Sequence, residues 1–198
     1  MNTLRLASAS ATRRAMLEAA GLKVSVHPAR VDEDAMRASM QAEGARPRDI
    51  ADALAALKAQ KAGQRDPQAL TLGADQVLDF QGRCHGKPET PEEAVETLTR
   101  MSGKPHVLYS AAAVWQDGAV IWRHVGQARM QMRVLSEGYI RGYVERNWED
   151  IRHSAGGYQI EGEGIRLFTS IGTDYHAILG LPMVPLLNWM VLRGEIEA

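Results

Sequence analysis

Leu4-Arg5-Leu6-Ala7-Ser8-Ala9-Ser10-Ala11-Thr12-Arg13-Arg14 decides how this chain begins to fold. Leu4 and Leu6 alternate as a strand does, the small residues after them make a tight turn, and Ser10 is a good helix N-cap. Ala11 to Ala20 then holds no helix breaker before Gly21. A strand that feeds a helix through small residues leaves backbone N–H groups and the positive helix end free to hold an anion, and Arg13 adds a formal charge in the first turn. Phosphate is the favoured anion. On this segment alone, a bland reading in which Ser8 and Ser10 only shape a turn stands beside the functional one.

Outward from there, Lys23-Val24-Ser25-Val26-His27-Pro28 alternates polar and apolar and reads as a second strand ended by proline. Strand, helix, strand is an α/β opening. Three carboxylates follow, Asp32-Glu33-Asp34. Such a run either caps a helix, here one starting near Asp34, or lends an oxygen to a hard cation such as Mg²⁺. Pro47 opens a helix over 46–63 with Ile50, Ala53, Leu54 and Leu57 on one stripe. Lys58 borders that stripe, where it either snorkels to water or brings an ammonium into a cleft.

Residues 69–80 read as an apolar strand interrupted in its middle by Gly73-Ala74-Asp75-Gln76. An acid among small residues in such a run is hard to bury unless it is paired or stands at a site, which makes Asp75 the first catalytic candidate. A turn at Gly73 and Asp75 is the alternative. Gln81-Gly82 turns the chain, and Lys87, confined between Gly86 and Pro88, has a side chain that can be aimed. Thr90-Pro91-Glu92-Glu93 is a capping box launching a structural helix to Met101. Two long strands, 106–115 and 119–135, joined by a turn at Asp117-Gly118, are expected at the centre of the sheet. Ser136 caps a helix over 137–147. The glycine-rich stretch 154–164 has neither P-loop nor dinucleotide-fold spacing. A strand over 165–171 and a helix from Leu181-Pro182 to Leu192 complete the chain.

Composition narrows the function classes. The 198 residues carry a net charge of −1 with acids and bases intermixed, so no basic face drives binding to nucleic acid and any affinity for phosphate must be local. The length fits one domain over 1–198. The single cysteine, Cys84, makes no internal disulfide, which fits a reducing cytoplasm, and with His85 alone it is no zinc site. There is no signal-peptide pattern, and the longest apolar segment, 178–192, is broken by Gly180, Pro182, Pro185 and Asn188, so no membrane span is expected. The expectation is a soluble cytoplasmic protein.

Taken together, Ser8-x-Ser10-x-x-Arg13, Asp32-Glu33, Leu54-Ala-x-x-Lys58-Ala59, Gly73-Ala74-Asp75-Gln76, Gly86-Lys87-Pro88, Ser102-Gly103-x-x-His106, Ala155-Gly156 with Glu161-Gly162, and Gly180-Leu181-Pro182 resemble the Maf family of nucleoside triphosphate pyrophosphatases. The resemblance runs the whole length of the chain, and the order and spacing of the motifs make it specific. It implies an α/β fold with an elongated, twisted mixed sheet flanked by helices, two lobes and a central cleft like that of inosine triphosphate pyrophosphatases. It also implies a divalent cation, Mg²⁺ or Mn²⁺, and often a homodimer. Carried over residue by residue, it makes Asp75 the proton acceptor, places Glu33 and Asp75 at the metal, and puts Ser8, Ser10, Arg13, Lys58 and Lys87 around the triphosphate. Hydrolysis between the α and β phosphates, a house-cleaning step on the nucleotide pool, needs a base and charge neutralisation of that kind.

The resemblance also bears on substrate. The dTTP/UTP branch of the family has Arg, Thr and Gln where this chain has Thr12, Gln76 and Glu161; the 7-methyl-GTP branch has Trp, Gln and Glu. Two of three positions match the second branch, which points to a 7-methylguanosine-type triphosphate, although Thr12 supplies no ring to stack on a cationic base. Turnover of dTTP or UTP is one alternative. A nucleotide-binding regulator of septum formation with little turnover is another. A kinase is disfavoured by the missing P-loop.

Overall fold

The computed structural model describes residues 3–197. Seven strands form one mixed sheet: β1 (Leu4–Leu6), β2 (Val24–Val26), β3 (Thr71–Phe80), β4 (Arg83–His85), β5 (Pro105–Gln116), β6 (Ala119–Met132) and β7 (Phe168–Ser170). Their order is β2-β1-β3-β5-β6-β7, with β4 folded back on the end of β3. β1 runs parallel to β2 and β3, while every other pair is antiparallel. The helices are α1 (Ala11–Ala19), α2 (Glu33–Ala42), α3 (Pro47–Gly63), α4 (Pro91–Met101), α5 (Glu137–Ile151), α6 (Tyr175–Ile178) and α7 (Met183–Leu192). Among the described residues no helix is long and apolar enough to cross a membrane.

The decisive strand is β3, and it is not interrupted. It pairs with β5 without a break from Thr71–Trp115 to Asp79–Val107, so Gly73-Ala74-Asp75-Gln76 is ladder, not turn. Its other edge is different. β1 covers only Thr71 and Leu72, and β4 covers only Leu78 to Phe80, which leaves 73–77 facing a gap in the sheet. The turn after β1 and the loop after β4 are the two rims of that gap.

The two faces of β3 meet different layers, because successive strand residues point to opposite sides. Gly73, Asp75 and Val77 face α3. Here a Cβ on Gly73 would lie 2.2 Å from the carbonyl oxygen of Ala55 and 2.4 Å from the amide nitrogen of Ala59. The helix comes this close because it lays small residues on the strand: Ala51, Ala55, Ala59 and Ala62 are buried with Ile50 and Leu54. Ala53 and Leu57, expected in the stripe, are half-buried instead. Rolling the alanines onto the sheet moves Lys58 from the border into the buried stripe. On the other face, Leu72 and Ala74 pack with Leu6, Leu181, Leu186 and Met190, and Leu78 packs with Leu98, Met101, Ile140 and Tyr143.

Among the boundaries that differ from expectation, β6 ends at Met132 and not at 135, and three others have a visible cause. α2 begins at Glu33, with Asp32 as the N-cap accepting from the Ala35 amide at 3.0 Å. α5 runs on to Ile151, because Ile151 extends the buried spacing of Ile140, Tyr143 and Val144 and no breaker intervenes. The strand expected over 165–171 shrinks to Phe168–Ser170 after a 3₁₀ turn over Glu163–Leu167. Glu163 is held by both Arg146, at 2.7 Å, and Asn147, at 3.0 Å, which ties the start of the segment to α5 before it can reach β6. The capping box is also incomplete: Thr90 accepts from the Glu93 amide, but the Glu93 carboxylate accepts from Glu89, one residue before the cap.

Candidate active site

A cleft of about 1190 Å³ opens over the gap along β3. One rim is the turn from β1 into α1. Ser10 caps α1, its hydroxyl accepting from the Arg13 amide at 3.3 Å. Ser8 Oγ accepts from the Ser10 amide at 3.3 Å and from Arg13 Nη1 at 3.1 Å. A hydroxyl that accepts twice still has its own hydrogen to donate, so Ser8 can offer it to an oxygen in the cleft it lines.

Arg13 is more than a free cation at a helix end. Its Nε donates to Gly180 O at 2.8 Å and its Nη1 donates to Ala74 O at 3.1 Å. It therefore fills the carbonyl on the open edge of β3 beside Asp75 and ties the turn after α6 to that strand. Burial lowers its pKa, against the pull of Asp75 and Glu33, but a guanidinium stays charged.

At the floor of the cleft Lys58, only 6% exposed, bridges two carboxylates. Its Nζ lies 2.6 Å from Asp75 Oδ1 and 2.8 Å from Glu33 Oε1. Lys58 does not snorkel. Asp75 is buried, and its second oxygen, Oδ2, has no hydrogen-bond partner. Burial raises the Asp75 pKa, with Glu33 adding to it, while Lys58 and Arg13 oppose the rise. For Glu33, burial acts upward, but the Lys58 charge and hydrogen bond, with Lys87 and Arg37 beyond, outweigh it and hold the carboxyl below its usual range. Two carboxylates on one ammonium are thus pushed apart, the arrangement that separates a proton acceptor from a fixed anion.

The opposite rim carries Lys87, exposed after β4. Arg37 also lines the cleft, and the motif reading passed over it. It stands one turn beyond Glu33 on α2, its Nη1 paired with exposed Asp34 at 2.6 Å and its buried Nε without a partner. The i, i+4 spacing from Glu33 was the available signal.

The remaining residues complete the lining. Leu108, Tyr158, Ile160 and Ile178 give an apolar wall, with Tyr158 held to buried His106 at 2.7 Å. Burial depresses the His106 pKa to about 4, which keeps the ring neutral, and raises that of Tyr158. Thr12 and Gln76 line the cleft half-buried, and Glu161 lines it from an exposed loop. All the residues singled out from sequence, Ser8, Ser10, Thr12, Arg13, Glu33, Lys58, Asp75, Gln76, Lys87 and Glu161, therefore border one cleft.

Comparison with known proteins follows the same line. A model of the Maf-like protein family matches residues 3–191. A nucleoside triphosphate pyrophosphatase of Ruegeria pomeroyi is 52% identical over 194 residues, 98% of each chain. A 7-methyl-GTP pyrophosphatase of Rhizobium etli is 43% identical over 194 residues, again 98% of each. Among solved structures, a HAM1 protein from Coxiella burnetii superposes with a TM-score of 0.44 and 13% identity, over 67% of this chain and 73% of that one, too distant to bear on the chemistry.

Proposed function

This chain belongs to the Maf family of nucleoside triphosphate pyrophosphatases, and from that premise we propose that Asp75 is its general base and a 7-methylguanosine-type triphosphate its substrate. The observation that carries the first part is the pairing at the floor of the cleft. Lys58 occupies Asp75 Oδ1, which leaves the unpartnered Oδ2 as the atom that takes a proton. In the reaction, the oxygen of a water bonds to the α phosphorus as its proton passes to Asp75 Oδ2. The bond from that phosphorus to the bridging oxygen breaks, and pyrophosphate leaves with the electron pair. Ser8, Ser10, Arg13 and Lys87 hold the phosphates and meet the charge that develops on the leaving group.

The donor set suits a divalent cation. Mg²⁺ asks for one or two carboxylates and completes its shell with water and phosphate oxygens; Glu33 and Asp75, the two carboxylates at the floor of the cleft, would hold it. Such an ion, Mg²⁺ or Mn²⁺, supplies charge at the phosphates and acidifies a bound water.

The substrate part rests on the lining of the cleft. Arg13, Arg37, Lys58 and Lys87 line it with cations for a triphosphate, and the Glu161 carboxylate lines it too, an acceptor suited to the donors and the positive charge of a 7-methylated guanine. Relatives bearing the 7-methyl-GTP name, at 43–46% identity, support the same choice.

The test is pyrophosphate release, with Mg²⁺ or Mn²⁺, from a panel of 7-methyl-GTP, GTP, dTTP and UTP, beside binding of the same nucleotides. Preferred turnover of 7-methyl-GTP is expected. Near-equal turnover of dTTP removes the substrate choice, and binding without hydrolysis favours a regulator. Folded Asp75→Asn is expected to lose about 10³-fold in turnover; near wild-type release would remove Asp75 from its role.

A further inference from the structure

Gln76 and Ser110 face each other directly across β3 and β5, on the side away from α3, and Gly126 continues the row on β6. The end of α6 rests on this row. A Cβ on Gly126 would stand 3.2 Å from the side chains of Ala177 and Pro182, so the bare glycine lets the helix down onto the sheet. Gln76 Nε2 then lies 2.9 Å from Ile178 O, 3.1 Å from Ala177 O and 2.9 Å from Ser110 Oγ, its two hydrogens shared among the three acceptors. Ser110 Oγ donates to Ala177 O at 2.6 Å.

Backbone carbonyls only accept, so the amide atom beside them is the nitrogen. The Gln76 amide has one orientation. Its Oε1 accepts no hydrogen bond from any described residue, and Gln76 lines the cleft. Turning the amide over would set that oxygen against two carbonyl oxygens and strand Ile178 O without a donor, in a place where Ser110 is fully buried.

We propose that Ser110 is a positioning residue for base selection: with the α6 carbonyls it locks Gln76 so that Oε1, an acceptor only, is what this side chain presents to the base. A free glutamine serves donor or acceptor by rotation; this one cannot. With the Glu161 carboxylate in the same cleft, the two side chains that the family resemblance ties to substrate choice are both acceptors. Guanine answers them with neighbouring donors, N1–H and the N2 amino group. Uracil and thymine offer one N–H between two carbonyl oxygens, so a second acceptor meets an oxygen. Methylation at N7 puts positive charge on the ring and strengthens the guanine donors. The identity of the base rests on the substrate proposed above; the lock on the amide does not.

The experiment is kcat/KM for 7-methyl-GTP, GTP and dTTP with the wild type and Ser110→Ala. Discrimination of 7-methyl-GTP against dTTP should fall by about ten-fold or more in Ser110→Ala, through KM rather than kcat. Ser110→Thr, which returns the hydroxyl, should recover most of it. A folded Ser110→Ala with unchanged discrimination overturns the proposal. A wild type that prefers dTTP, with Ser110→Ala still altering the ratio, overturns the substrate and upholds the lock. The wild type gives an independent reading by ¹⁵N NMR: the Gln76 side-chain amide protons should be protected from solvent exchange and stay so on addition of 7-methyl-GMP. Rapid exchange of that pair overturns the lock without any variant at Ser110.

Discussion

The two faces of β3 differ in kind. On the α3 side, Asp75, Lys58 and Glu33 form a charged knot that is left incomplete, with one carboxylate oxygen buried and unpartnered. One residue along, on the other side, Gln76, Ser110 and the end of α6 form a neutral knot whose donors are all used. Unfinished charge is where reactants bind and protons move, and a neutral network whose donors are all engaged is where shape and orientation are fixed. On the function proposed above, a single strand separates chemistry from recognition by the alternation of its side chains.

The contrast is open to attack from either side. The largest effect is expected from Lys58→Ala, which leaves Asp75 buried without its cation. Stability should drop by about 4 kcal/mol in denaturant unfolding, and turnover should collapse, because the loss of the Lys58 charge pushes Asp75 further toward its protonated form. If both carboxylates tolerate the loss, the knot is not the charged centre of the fold. Next comes Gly73→Ala, whose new Cβ meets the backbone of α3 and not a flexible side chain. A loss of about 3 kcal/mol or more is expected, read as a lowered melting temperature.

On the neutral side the sensitive group is His106. Its pKa, depressed to about 4 by burial, lies below the unfolded value near 6.5, so the unfolded chain takes up the proton first as pH falls. Its effect on stability should be absent above about pH 7 and grow to about 3 kcal/mol as pH falls toward 4, and His106→Gln should remove that part of the slope. The smallest effect is expected at Gly126→Ala. Its Cβ would meet side chains at 3.2 Å, which can shift a few tenths of an ångström, so about 1 kcal/mol should be lost. Equal costs at Gly73 and Gly126 would show that the two layers press on β3 alike.

Much of this could be read from the sequence because the informative residues are anomalies. Asp75 in an apolar run and Lys87 between glycine and proline stand out locally, and the caps Ser10, Thr90 and Ser136 mark helix starts by side-chain chemistry alone. What stayed hidden depends on partners distant in the chain. Nothing local shows that β3 runs straight through Gly73 to Gln76, since that follows from β5 pairing along its whole length. Lys58 looked like a border residue because hydrophobicity marks the leucines, whereas the close approach to Gly73 selects the alanines of α3. The strand expected over 165–171 was shortened by the hold of Arg146 and Asn147 on Glu163. Arg13, expected as a phosphate ligand, also supports two carbonyls, those of Ala74 and Gly180, and the second is 167 positions away.

The missing strand partner along 73–77 has a consequence in time as well as in space. Leu72 turns its carbonyl to the Ala7 amide on the β1 side, and by alternation Ala74 and Gln76 turn their backbone groups to the same edge, where β1 and β4 both fall short. Amides at the centre of a buried sheet ordinarily trade hydrogen for deuterium only when the whole domain unfolds. Ala74 is buried there under Arg13, but Gln76 is half-buried and lines the cleft, and the clock of its amide runs with the entry of solvent. Whatever lies across the gap stops that clock, so one amide in the middle of the sheet keeps a record of whether the cleft is filled.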